Sequence, residues 1–277
     1  MAAGNAVDSE IEKQLESCRW AVFHAQQRYG LLIGTHRRVS LLHERFPGEW
    51  IYNSTALQPY YDLFDMLVID LCSAANAWLD EKNGLFKLLA KQPDVLMRRS
   101  EDAFGRGHGG RTVAKSVNAV IAGLFPGGGP CPDDVKKWGE RFEAATKRVR
   151  DDRNKVRAHR YEQVRVTAPL STYAAPLGEY EKHVTYFTEH VYQASMAIKA
   201  LDFDRKITVP ETEAADLADL IFHGSIDGAM WAYGIVCRAA STVPPPRYED
   251  LRSTALALLE NDPGLYERAL DGMAEDS

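Results

Sequence analysis

Side chains suited to chemistry crowd into one stretch of this chain, Val149 to Tyr161, which reads Val-Arg-Asp-Asp-Arg-Asn-Lys-Val-Arg-Ala-His-Arg-Tyr. Arg153 offers a planar, permanently charged fork that matches a phosphate or carboxylate. His159, six positions on, belongs to the residue type that gains and loses a proton near neutral pH. Asn154 lies beside the arginine, and Tyr161 brings a phenolic hydroxyl two residues after the histidine. Arg148, Arg150, Lys155, Arg157 and Arg160 surround them with positive charge.

That charge is local. The whole chain carries −6, yet Arg141 to Arg165 holds nine Lys or Arg against four acids, a net +5, so the other 252 residues carry −11. A basic stripe on an acidic body suits a phosphate-bearing partner that docks at one place. A long solvent-exposed helix also collects charges of one sign without any partner, and the composition leaves that alternative open.

A chain of 277 residues, 45% hydrophobic and 26% charged, has the apolar content to bury a sizeable core. Cys18, Cys72, Cys131 and Cys237 are scattered without a CxxC pair, which fits buried thiols in a reducing compartment better than a zinc ribbon or a disulfide scaffold. Met1 to Glu16 is polar and acidic, unlike a secretory signal. The two most apolar stretches are interrupted by Asp70 and Asn76 and by His223 and Asp227, so no membrane span is expected. A cytoplasmic, soluble protein is the expectation. HExxH, GxSxG and GxGxxG after a strand are all missing, and no cofactor is indicated. His183 and His190, seven apart on one helix, are about 10 Å apart along its axis, too far to share a metal ion, and read as surface or core-edge residues. Asp62, Asp65 and Asp70 read as solvated or salt-bridged carboxylates rather than an acid-base pair.

The elements that must position the segment are helical throughout. Residues 11, 15, 18, 22 and 25 give an amphipathic helix over Asp8 to Tyr29, weakened at Gly30 and Gly34, with a short helix over Arg38 to Arg45. Trp50 to Thr55 reads as extended. Leu57 to Asp80 is apolar on nearly every side and reads as the central core helix, ended by Asn83-Gly84 and followed by a short helix from Leu85 to Lys91. Gly105 to Arg111 reads as a glycine-rich connection, since it lacks the Lys-Ser/Thr ending of a phosphate-binding loop. Helices follow over Thr112 to Leu124 and from an N-cap at Asp133 to about Glu162, the latter striped by Trp138, Phe142, Ala145, Val149 and Val156. Glu179 to Leu201 is amphipathic through Tyr180, Val184, Phe187, Val191, Ala194, Ile198 and Leu201. Asp202 to Pro210 is the best boundary, dividing a helical domain, 1–204, from a C-terminal helical extension, 205–277, of unknown role. That extension reads as one helix from Glu211 to Ala240, in which the glycines at 224, 228 and 234 allow a break, then two short helices. No alternation supports a sheet, and the class is all-α.

Arg153-Asn154 followed by Ala158-His159, late in a helical protein, resembles the signature of the HEPN (higher eukaryote and prokaryote nucleotide-binding) family: an arginine and a polar residue shortly before a histidine. Arg19 with His24, and Arg37 or Arg38 with His43, repeat the interval elsewhere. The central match is distinguished by Asn154, by the Ala-His ending, by its position after several core helices and by its charge. The apolar helix ending in Trp78-Leu79-Asp80, followed by Leu85 to Leu89, is similar to the corresponding region of the AbiU-type abortive-infection branch. The likeness covers roughly Leu57 to Leu201.

The resemblance implies an up-and-down helical bundle core with additional N- and C-terminal helices, and a metal-independent endoribonuclease acting as a toxin or phage-defence effector. His159 would act as base on a ribose 2′-hydroxyl or as acid towards the leaving oxygen, Arg153 would hold the scissile phosphate, and Asn154 would orient the backbone or His159. The product would be a 2′,3′-cyclic phosphate, so DNA would not be cut. Arg148, Arg150, Lys155, Arg157 and Arg160 would bind RNA. On one helix Arg153 and His159 lie about 120° apart and about 9 Å along the axis, which favours the family's homodimer with a composite cleft. His159-x-Tyr161 resembles toxins whose nucleotidyltransferase antitoxin adenylylates the tyrosine; a tyrosine closing a helix end is the alternative. A non-catalytic module that binds RNA, nucleotide or a protein partner through residues 141–165 remains the alternative for the whole chain.

Overall fold

The computed structural model describes residues 2–45, 57–96, 107–126, 130–159 and 174–275, with side chains throughout these except 2–7, 107–111, 152, 154–159, 174–175 and 272–275. Among the described residues the protein is all-α, with no strand. The longer helices are α1 (Ala2–Arg45), α2 (Gln58–Leu79), α3 (Leu85–Lys91), α4 (Gly107–Leu124), α5 (Pro132–His159), α6 (Ala174–Lys199), α7 (Glu211–His223), α8 (Ile226–Ala239), α9 (Tyr248–Asn261) and α10 (Leu265–Glu275).

Two compact units divide these helices, and neither is a single run of sequence. The first comprises Met1–Tyr29, Phe64–Arg165 and Ser171–Thr208; the second comprises Gly30–Leu63, Val166–Leu170 and Val209–Ser277. The C-terminal helices thus belong to a unit that also takes in residues 30–63.

The first unit is organised by aromatic rings. Trp78, near the end of α2, meets Trp138 and Phe142 of α5 with ring centroids 5.7 and 5.2 Å away, and Phe86 of α3 stands 5.0 Å from Trp138. Phe187 of α6 closes the cluster 5.4 Å from Phe142, edge to face. Gly139 permits this approach, since a Cβ there would come within 3.3 Å of the Phe86 ring. Polar bonds tie the surrounding helices together: Gln14 donates to the Ala77 carbonyl at 2.8 Å, Gln26 donates to Thr188 and to the Asp204 carbonyl, and Arg28 pairs with Asp70. Asp80 then stops α2 by accepting the Lys82 and Asn83 amides, which also holds its carboxyl below the usual carboxylate range.

Several sequence expectations are corrected. α1 runs unbroken through Gly30 and Gly34. Gly34 is a contact point instead, because within the second unit a Cβ there would lie 2.5 Å from Val209 Cγ1 and 2.9 Å from Ala214 Cβ. α4 begins at Gly107, so most of the glycine-rich run is helical rather than a connection; its buried stripe of Ala114, Val117, Ile121 and Leu124 supplies the apolar face that holds the helix. Asp133 is not the N-cap, since Pro132 already occupies the first turn of α5, where a missing N–H costs nothing. Ala145 faces solvent and Thr146 is buried in its place, its hydroxyl donating to the Phe142 carbonyl at 2.8 Å. α6 starts at Ala174, five residues early, because Pro176 is tolerated in a first turn. Leu201 lies beyond the helix and is exposed.

In the second unit the expected helix over Glu211 to Ala240 is two. Gly224 adopts φ 71°, a left-handed turn that favours glycine, and Ser225 caps α8 by accepting the Gly228 amide at 3.0 Å. Three of the cysteines are buried as expected, but Cys131 is exposed. Trp50 to Thr55 lies outside the described residues.

Gly34→Ala is expected to destabilise the chain by about 1–3 kcal/mol through overpacking, although alanine is the better helix former by about 1 kcal/mol. Adding Val209→Ala should recover part of that loss in urea unfolding. A stabilised single variant would contradict the close approach.

Candidate nucleic-acid interface

α5 has two halves of different character. Val135, Trp138, Phe142, Thr146 and Val149 form its buried stripe, at most 2% exposed. Their spacing follows the 3.6-residue turn and continues in register to Arg153 and Val156. The packed half therefore fixes the position and rotation of the basic half. The Cys72 thiol adds a tie between α2 and α5, donating to the Val149 carbonyl at 3.4 Å, which satisfies a buried backbone group one turn before Arg153.

Arg153 is half-buried on that continuing stripe. Asn154, Lys155, Arg157 and His159 lie within the last turns of α5, so the helical backbone spans the expected catalytic residues. Arg160 and Tyr161 fall outside the described residues. On the helix the register positions of Arg153 and His159 stand about 120° apart and about 9 Å along the axis. One copy of α5 thus does not set both residues on a single face.

The two upstream cations are engaged. Arg148 Nη2 lies 2.5 Å from Glu179 Oε2 of α6, and Arg150 Nη2 lies 3.3 Å from Glu143 Oε1, two turns earlier. Arg150 also donates to the Glu143 carbonyl at 3.4 Å, while its Nε is buried without a hydrogen-bond partner. Both residues of the Arg148–Glu179 pair are more than half exposed, and a pair of that kind is worth at most about 1 kcal/mol. A polyanion can therefore take over the Arg148 guanidinium at small cost.

Among the described residues no group of His, Cys, Asp and Glu is arranged to hold a metal ion, and no helix is long and apolar enough to cross a membrane. His190, expected at a surface or core edge, is half-buried against the aromatic cluster, 4.1 Å from the Tyr186 ring and 5.2 Å from Phe142. Its Nδ1 lies 2.9 Å from the Tyr186 carbonyl, which can only accept, so Nδ1 carries the proton. Burial holds the imidazole below its ordinary pKa, and the nearby Arg141 charge acts in the same direction. His183 is half-buried. Of the three carboxylates set aside in the sequence, Asp62 accepts from Gln58 at 2.6 Å and Asp70 pairs with Arg28.

Among the described residues, one strongly perturbed carboxylate does not stand out in the sequence. Asp219, on α7 in the second unit, is buried, accepts from the Tyr233 and Tyr248 hydroxyls, and lies 3.6 Å from Arg252 Nη1. Burial pushes it up to about 6 in spite of those bonds. His223, one turn later and 5.6 Å from the Tyr233 ring, is pushed down to about 4 by burial. The run Ala214 to Phe222 is apolar apart from Asp216 and Asp219, and the placing of Asp219 at helical spacing from Ala215 and Phe222 was the available signal. Its phenol and guanidinium partners come from α8 and α9, which no sequence spacing reveals.

Compared with models of known families, with curated proteins and with solved structures, the chain finds no match.

The two shifts in the second unit act oppositely with pH. His223 has a folded pKa below its ordinary 6.5, so its contribution falls as pH drops from about 6.5 towards 4. Asp219 has a folded pKa above its ordinary 3.8, so its contribution rises as pH drops from about 6 towards 3.8. Asp219→Asn removes the second effect and leaves the first. Taken from pH 7 to 4.5, the variant should lose about 2 kcal/mol more stability than the wild type, read by urea unfolding. Parallel pH curves would contradict a protonatable Asp219.

Proposed function

We propose that this protein is a metal-independent endoribonuclease of HEPN type, working at the basic end of α5 as a toxin or phage-defence effector. The observation that carries the reading is the continuity of α5 itself: one helix, anchored by a buried aromatic stripe, extends through Arg153, Asn154 and His159. A rigid helix with its last turns rich in arginine and lysine provides a phosphate-binding edge close to a proton-transfer group. The all-helical class and the half-buried Arg153 also support it.

In this reading Arg153 holds the scissile phosphate and stabilises charge building on its oxygens. His159 takes the proton of the ribose 2′-hydroxyl, whose oxygen attacks the adjacent phosphorus. The bond to the 5′-oxygen breaks, that oxygen receives a proton, and a 2′,3′-cyclic phosphate remains. Asn154 orients the backbone or His159. Arg148, Arg150, Lys155, Arg157 and Arg160 track the flanking phosphates, with Arg148 exchanging Glu179 for RNA. Because Arg153 and His159 occupy different faces of one helix, the arginine of one copy works with the histidine of a second, in a homodimer. Tyr161, two residues after His159 in sequence, is the position at which a nucleotidyltransferase-type antitoxin would add a nucleotide and block RNA with bulk and negative charge.

Total RNA incubated with the protein in EDTA should be cut to fragments bearing 2′,3′-cyclic phosphate ends. His159→Ala and Arg153→Ala should each slow cleavage by about 10²–10⁴-fold. Cleavage unchanged by either substitution would contradict the reading. RNA bound but left intact by the wild type would favour the non-catalytic binding module.

A further inference from the structure

The outer face of α1 holds aromatic side chains that the core does not use. Its inner stripe, Ile11, Leu15, Cys18, Val22, Ala25 and Tyr29, is buried to 3% exposure or less. Trp20 and Phe23 lie off that stripe, 55% and 41% exposed, where apolar surface remains in water at a cost proportional to its area. They are grouped: the Trp20 and Phe23 rings meet edge to face at 5.8 Å, and the His24 ring is stacked on Trp20 at 5.9 Å.

A cavity of about 210 Å³ opens between this face and Phe203, lined by Glu16, Arg19, Trp20, Phe23 and Phe203, all within the first unit. Two opposite charges border it. Arg19 Cζ lies 5.7 Å from the centre of the Phe203 ring, and Arg19 Nε lies 3.7 Å from Glu16 Oε2. Arg19 Nη1 is buried without a hydrogen-bond partner, and the Glu16 side chain is half exposed. Arg19 lines the same cavity with its side chain 23% exposed, so a guanidinium stands beside a carboxylate with unused acceptor capacity at an aromatic platform.

This combination selects the ligand class. A cationic head group is disfavoured by Arg19, and a phosphate or carboxylate by Glu16. A flat neutral ring with donors and acceptors adjacent on one edge suits both. Guanine has that edge: its N1–H and N2–H donate in parallel to a carboxylate, while O6 and N7 accept from a guanidinium. Cytosine and adenine offer a carboxylate only one amino group. Stacking on tryptophan supplies the sequence-tolerant part of the affinity, and the edge supplies the choice.

We propose that the Glu16–Arg19–Trp20 face of α1 is a guanine-binding site, with the base stacked on Trp20, Glu16 accepting from N1–H and N2–H, and Arg19 donating to O6 or N7. The site binds the base itself and does not require that α5 cleave RNA.

The test is titration of the full chain with guanosine monophosphate, followed by tryptophan fluorescence and calorimetry. Guanosine monophosphate should bind and quench the exposed tryptophan signal. Inosine monophosphate, which lacks the N2 amino group, should bind about tenfold more weakly. Trp20→Ala should weaken guanosine monophosphate binding tenfold or more. Glu16→Gln, which keeps the shape but offers one acceptor, should erase the preference over inosine monophosphate. Equal binding of guanosine, inosine and cytidine monophosphates would overturn the proposal, as would guanosine monophosphate binding unchanged in Trp20→Ala. Both variants lie on the outer face of α1, so thermal unfolding like the wild type's confirms that a loss reflects the site. Loss of RNA cleavage in His159→Ala with guanosine monophosphate binding intact would separate this site from α5.

Discussion

The packing of Trp138 and Phe142 among Trp78, Phe86 and Phe187 is the constraint on which the first unit depends. Each large ring buries enough apolar surface to contribute several kcal/mol, on the order of 3–5 when truncated to alanine. More than stability follows from it. A helix held by rings at 138 and 142 and by Thr146 and Val149 has its rotation fixed, because turning it would lift those side chains out of register. The arginines and lysines that follow inherit that rotation. Charged residues at a helix end would otherwise be free to reorient, and a phosphate site requires that they do not.

Helix existence was legible because the stripes are long and regular. Ile11 to Ala25 and Tyr180 to Ile198 repeat at helical spacing, and nearly every residue of those stripes is buried. Boundaries were less legible, for identifiable reasons. Gly34 looks like a weak point in sequence, yet its missing Cβ admits Val209, a partner 175 positions away. Pro176 looks like a stop, yet it stands in a first turn that needs no amide hydrogen. Gly224 does end a helix, but only its left-handed conformation distinguishes it from glycines that a helix tolerates. Thr146 is buried in place of Ala145 because its hydroxyl bonds back to the Phe142 carbonyl and its methyl packs.

The candidate site was legible in part. Residue types in 148–161 state the chemistry, and the helix that carries the first twelve of them is present as read. Sequence did not show that Arg148 and Arg150 engage Glu179 and Glu143, since one of these acids lies on another helix and the other two turns back. Nor did it reveal the Asp219 cluster, whose phenols and guanidinium come from two other helices, α8 and α9. Trp20 and Phe23 were passed over in the sequence, because their meaning depends on the cavity that they line together with the distant Phe203.

In the proposed function Arg153 of one copy and His159 of another act together on RNA, because their register positions on a single α5 stand on different faces. The direct measurement mixes Arg153→Ala with His159→Ala after each has been purified alone and assays RNA cleavage in EDTA. Each variant alone should be nearly inactive, and the mixture should regain activity, because a mixed dimer contains one site with an intact arginine and an intact histidine. A mixture that exchanges subunits and yet stays as inactive as its components would contradict the account.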